Sequence, residues 1–141
     1  MSRYYHVDIA RHASDADAKW TDNLLSRFEI PGVDRAKQGV ARRISVAGIY
    51  HVALIRRLSA ELRVPLDTAV AIAGQLLTTD ARHVPLGDGL EIRLDREAFT
   101  REVDARIEEA VESVVPARRG RPPAHRRADT RRAETATGKP R

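Results

Sequence analysis

The sequence predicts a mainly α-helical fold with small β-hairpins, followed by a basic tail. Three observations carry this expectation. Apolar residues recur at three- and four-residue spacing in successive segments. Two short stretches carry hairpin signals, one around Gly39 and one around Gly87-Asp88-Gly89. After Pro116 almost nothing apolar remains beyond alanine, so residues 116–141 are expected to be disordered in isolation.

The chain has 141 residues, enough for one small domain and a tail. Hydrophobic residues make up 42% and aromatic ones 4%, so the expected core is mostly Val, Leu, Ile and Ala. There is no cysteine, which excludes disulfides, thiolate metal sites and thiol catalysis. No apolar run reaches the ~18–20 residues of a transmembrane helix, and the N-terminus shows no signal-peptide core. A cytoplasmic location is expected. Histidines 6, 12, 51, 83 and 125 include no i, i+4 pair, so neither a metal nor another cofactor is expected.

Charge is distributed in blocks. Residues 116–141 carry nine basic side chains against two acidic ones, a net of +7. Residues 1–64 carry eleven against seven, and residues 65–115 five against eleven. A basic, acidic, basic order of this kind points to a polyanion as the partner of the basic blocks.

The elements follow in order. "YYHVDIARHAS" places Val7, Ala10 and Ala13 at helical spacing, with Ile9 beside them. Asp17, in "SDADA", is the expected N-cap of a second helix. In that helix Trp20, Leu24 and Phe28 form an apolar stripe flanked by Thr21 and Leu25. Lys19, Asn23 and Arg27 form the neighbouring polar stripe, and Asp22 and Ser26 widen it. Pro31-Gly32 is expected to end the helix. "VDRAKQGVARRIS" reads as a basic hairpin, with strands near 33–36 and 41–44 and Gly39 near the tip. Ser45 then caps a long helix burying Ile49, Val52, Ile55, Leu58 and Leu62. Pro65 opens the nearly all-apolar "LDTAVAIAGQLL", a helix expected at the centre or at an interface. Val84, Leu86, Leu90, Ile92 and Leu94 alternate around the second turn. A last amphipathic helix carries Phe99, Val103, Ile107, Val111 and Val114 on its apolar stripe. That stripe suits dimerisation, packing on the 84–94 hairpin, or simple burial in the monomer core.

Short helix, turn, helix with a polar stripe, basic hairpin, long helix: this is the layout of a winged helix-turn-helix module. Over roughly residues 5–77 the chain also resembles the MerR-like winged-helix family, in its small phage and actinobacterial form. "DNLLSRFEIPG" resembles that family's recognition-helix end, "GVARRISVAGIYHVALIRRL" its wing exit and following helix, and "VPLDTA" the start of the next. The resemblance implies double-stranded DNA as partner, a recognition helix in the major groove and a wing on the backbone or minor groove. Lys19, Asn23, Ser26 and Arg27 are then the candidate recognition-helix contacts. Asn pairs bidentately with adenine, and Arg or Lys with guanine. Arg35, Lys37, Arg42 and Arg43 are the candidate wing contacts to phosphate.

The tail contains Arg118, Arg119, Gly120, Arg121 and Pro122, whose "RGRP" matches the core of an AT-hook. A narrow A·T minor groove attracts inserted Arg. Glycine lets the backbone lie on the groove floor, and the prolines favour an extended chain. Such a tail, tethered beside a bound domain, adds affinity and salt dependence, with an A·T-rich preference.

Three parts are therefore expected: a DNA-binding domain over 1–78, a hairpin and helix over 79–115 that is a candidate dimerisation element, and the tail over 116–141. The expected function is a sequence-specific transcriptional regulator of the nucleoid, bound as a homodimer or cooperative assembly. The alternatives are an architectural protein, excisionase-like or nucleoid-associated, and an antitoxin or adaptor module. No catalytic motif is present, so no enzyme activity is expected.

Overall fold

The computed structural model describes residues 3–34 and 42–113. The element order is β1 (Tyr4–His6), α1 (Val7–Ser14), α2 (Ala18–Arg27), β2 (Arg43–Ser45), α3 (Val46–Glu61), α4 (Leu66–Thr78), β3 (His83–Pro85), β4 (Glu91–Arg93) and α5 (Arg96–Ser113). The described chain is thus mainly helical, with two small antiparallel β arrangements.

Caps explain where the helices start. The Asp17 carboxylate accepts the Trp20 N–H at 2.7 Å, and the Ser45 hydroxyl accepts the Gly48 N–H at 3.2 Å, both at the residues expected. Asp95 does the same for α5, accepting the Ala98 N–H at 3.0 Å. The first helix differs from expectation. Tyr4–His6, read as helical, forms a strand, and the helix begins only at Val7 with the His6 ring as its cap. The strand exists because β2 pairs with it antiparallel, setting Tyr5 opposite Ile44. Two adjacent tyrosines suit such a half-exposed pleat.

Between α1 and α2 the chain turns through Asp15, in the left-handed region at φ 54°. Its N–H donates to the His12 carbonyl at 3.3 Å, and the Ala16 N–H to the Arg11 carbonyl at 3.0 Å. These bonds satisfy carbonyls that the helix end would otherwise orphan. α2 then stops at Arg27, four residues ahead of Pro31, because Phe28 already adopts an extended conformation.

The base of the first hairpin lies where the sequence places it. Val33 bridges Ile44, the Asp34 N–H donates to the Arg43 carbonyl at 2.9 Å, and the Ser45 N–H to the Gly32 carbonyl at 2.8 Å. Ile44 is therefore flanked by Tyr5 on one side and Val33 on the other. Gly32, at φ +84°, sits against the first turn of α3. A Cβ on Gly32 would lie 2.6 Å from the Gly48 nitrogen, and one on Gly48 would lie 2.7 Å from Ile44 Cγ1.

α3 is the central helix, buried on most sides through Ile49, Val52, Leu54, Ile55 and Leu58. Leu62, expected on its buried face, is instead 59% exposed. The helix ends at Glu61 and Arg63 turns away at φ 56°. α4 packs on α3 through Ala69, Ile72, Ala73 and Leu76, and leaves Ala71 and Gln75 exposed. α5 packs mainly on α1 and also on α3, burying Phe99, Val103, Ile107 and Ala110. Ala110 thus takes the place expected for Val111, which is 46% exposed. Val114 lies outside the described residues.

Two polar devices tie the far elements together. The Tyr50 hydroxyl of α3 donates to Asp104 of α5 at 2.5 Å. Burial first, and then that carboxylate, push the phenol well above its ordinary range. Arg96, at the start of α5, donates to the carbonyls of Leu76 at 2.6 Å, Ala81 at 3.2 Å, and Thr79. It thereby closes the C-terminal end of α4.

Candidate nucleic-acid interface

α2 is amphipathic, and its two faces separate cleanly. Thr21 and Leu24 are fully buried, and Trp20, Leu25 and Phe28 are half-buried at the flanks. The centre of the inward face is thus Thr21–Leu24 rather than Trp20. Thr21 is tolerated there because its hydroxyl donates to the Asp17 carbonyl at 2.9 Å. The outward face carries Lys19, Asn23, Ser26 and Arg27, all exposed. The four polar side chains grouped from the spacing therefore do share one solvent-facing surface.

Their local contacts differ. The Ser26 hydroxyl is turned back onto the helix and donates to the Asn23 carbonyl at 3.2 Å. The Arg27 guanidinium lies over the Phe28 ring, 5.2 Å from its centroid. Lys19 makes no ion pair among the described residues.

The hairpin base stands beside this face. Arg42 reaches back to Asp22 of α2, Nη1 to Oδ1 3.6 Å, and is only 25% exposed at its side chain. Arg43 is exposed, in register with His6 of β1. Between the end of α2 and the hairpin base runs a groove of about 760 Å³, lined by Arg27, Phe28, Pro31, Asp34 and Arg42 among others. Arg35 and Lys37 lie outside the described residues, as do Arg118, Arg119, Gly120, Arg121 and Pro122.

Two contacts that spacing could not show set the position of α2. Arg56 of α3 lies 5.1 Å over the Trp20 ring and donates from Nε to the Asp15 carbonyl at 3.3 Å. It clamps both the turn and the first turn of α2 to the central helix. Asp22 is the second, through Arg42. Neither link has a sequence signal, because each joins residues that only the fold brings together.

His51 is buried in α3, at 4% exposure. Its Nδ1 lies 2.9 Å from the Ala47 carbonyl, while Nε2 has no hydrogen-bond partner among the described residues. Burial holds its pKa below the ordinary value, only partly offset by the backbone bond. It is a neutral structural group at neutral pH. Among the described residues, no group of His, Asp or Glu side chains is placed to hold a metal ion. No helix among them is long and apolar enough to cross a membrane.

No family model, curated protein or solved structure matches the chain. The functional reading therefore rests on the geometry and chemistry of its own residues.

Proposed function

We propose that the chain is a sequence-specific double-stranded DNA-binding protein, a transcriptional regulator built on a winged helix-turn-helix of the MerR-like kind. In this reading α1 and α2 are the helix-turn-helix, and α2 enters the major groove. The hairpin over 33–44 is the wing. Lys19, Asn23 and Arg27 reach base edges, and Arg43 meets phosphate. Arg42, paired with Asp22, positions the wing against α2 and contacts phosphate when that pair opens.

One observation carries the reading. The exposed stripe of α2 bears two cations and an amide, opposite a fully buried Thr21–Leu24 face, on a helix clamped at its start by Asp17 and Arg56. A rigid helix with polar donors turned to solvent is what groove reading demands. The +7 tail adds the A·T-preferring minor-groove clamp centred on Arg119-Gly120-Arg121-Pro122.

The test is binding of the full chain to random-sequence and selected duplexes across a salt series. Salt-sensitive binding is expected, with the slope in log[salt] near 0.9 per neutralised phosphate. Asn23→Ala is expected to cost about 1–3 kcal/mol on the selected site and little on random DNA. Arg119→Ala with Arg121→Ala is expected to weaken both and flatten the slope. Binding that is absent, or indifferent to salt, overturns the DNA reading.

A further inference from the structure

The acidic block over residues 65–115 has no part in DNA binding, and its charge repels phosphate. Within α5 the carboxylates fall into two groups. Those of the first half are all engaged. Glu97 pairs with Arg101 at 3.6 Å, Glu102 pairs with Arg57 and with Arg106 at 3.3 Å each, and Asp104 accepts from Tyr50. Toward the end of the helix Glu108, Glu109 and Glu112 are exposed and make no ion pair among the described residues.

Glu112 lies three residues from Glu109 and four from Glu108, so the three share one face. Like charges at that spacing repel. They also stand at the negative end of the helix dipole, where cations are favoured, yet the last turn holds no basic residue. Both features run against local stability, and departures of that kind are expected at functional surfaces.

Chain of the opposite charge begins directly beyond. Arg118 is six residues past Glu112, and Arg119 and Arg121 follow. Six residues reach at most ~20 Å, whereas Glu108 to Glu112 covers only ~6 Å of helix axis. A chain that doubles back after Pro116 therefore brings three guanidiniums within range of three carboxylates.

We propose that residues 118–121 of the tail dock on the Glu108–Glu109–Glu112 face of α5, a cover that withholds the same arginines from DNA. The exposed carboxylates only accept hydrogen bonds, so the occupant is a segment rich in cationic donors. The tail outcompetes a separate basic partner because its tether sets an effective concentration in the millimolar range. Exposed Arg–Glu pairs are individually weak, so salt releases the cover. A duplex releases it too, because it offers one negative charge per ~1.7 Å of axis. The apparent affinity for duplex is then reduced to the fraction of chains left uncovered. This last consequence rests on the DNA reading above, whereas the contact itself does not, and the test has a separate arm for each.

The first arm contains no DNA. The full chain has no cysteine, so Ala124→Cys carries a single spin label on the tail. The label is expected to broaden the amide signals of residues 105–112. That broadening should fall in a chain also carrying Glu108→Gln, Glu109→Gln and Glu112→Gln, which keeps the tether and loses the charge. It should fall likewise at about 0.5 M salt. Broadening unchanged by both overturns the proposal. So does broadening passed from a labelled chain to an unlabelled, isotope-enriched one, which would place the contact between chains.

The second arm measures binding to random-sequence duplex. The three Glu→Gln changes are expected to tighten it about three- to tenfold. In a full chain that also carries Arg118→Gln, Arg119→Gln and Arg121→Gln, they are expected to change it less than about twofold. An equal gain in both backgrounds is plain charge repulsion and overturns the cover. If no chain binds duplex, the DNA reading fails and the regulatory role with it, while the first arm still decides the contact.

Discussion

Gly48 of α3 lies directly against the backbone of Gly32, with no room for a methyl group on either residue. The segment leaving α2 is thereby pressed onto the first turn of the central helix, and the hairpin base is held in place from below. Gly48→Ala is expected to destabilise the fold by about 1–3 kcal/mol, the usual cost of overpacking. Gly32→Ala is expected to cost more, because a left-handed φ of +84° adds strain of about 1–2 kcal/mol for an L side chain. Chemical denaturation of both variants checks the order.

Arg42 and Asp22 form a partly exposed pair, and such pairs contribute less than about 1 kcal/mol. Asp22→Ala is therefore expected to leave the melting temperature nearly unchanged. On the DNA reading it removes a negative charge from the α2 face and frees a guanidinium beside it. Affinity for duplex should rise, and the salt slope should steepen by about one phosphate contact. Fluorescence anisotropy at several salt concentrations measures both quantities.

Arg96 closes the end of α4 with one guanidinium serving three carbonyls. Hydrogen bonds from a charged donor are worth about 1.5–3 kcal/mol before solvent exposure is discounted. Arg96→Ala is expected to lose less than that, about 1–2 kcal/mol, because these bonds are only partly buried. Arg96→Lys is expected to recover only part, because all three bonds come from Nη2 and the shorter lysine side chain must stretch to bring its ammonium there. Urea unfolding midpoints for the three chains provide the comparison.

His51 gives stability an acid limb. Its folded pKa lies below the ordinary 6.5, so the unfolded chain takes up the proton first. Stability from this group is fully present above pH 6.5, and falls as the pH drops toward the folded pKa. His51→Leu removes that dependence and the unpartnered Nε2 together. The difference in unfolding free energy between the two chains is expected to shift toward the variant between pH 7.5 and pH 5. An unchanged difference counts against a buried neutral ring.

The parts of the fold that local spacing and capping determine were legible from the residues alone. Asp17 and Ser45 cap the helices expected of them, the 84–94 hairpin forms around its two glycines, and the outward stripe of α2 follows from a period of 3.6. What was not legible depends on partners distant in sequence. Tyr4–His6 is a strand only because Arg43–Ser45 lies beside it. Leu62 is exposed because Arg63 turns the chain before another helical turn can form. The last helix buries Ala110 instead of Val111 because the stripe Phe99, Val103, Ile107 continues after a three-residue step, which leaves Val111 turned about 100° away. At the candidate interface, Lys19, Asn23 and Arg27 could be grouped by spacing, whereas the Arg56–Trp20 clamp and the Arg42–Asp22 pair could not.

Ser45 is at once the last residue of β2 and the cap of α3, so no loop separates the hairpin base from the central helix. The hairpin therefore has no hinge at its exit. A sideways pull on it is transmitted as shear along a strand flanked by Tyr5 and Val33, and then into the axis of α3. A ligand that moves the hairpin base therefore moves β2 and the first turn of α3 with it.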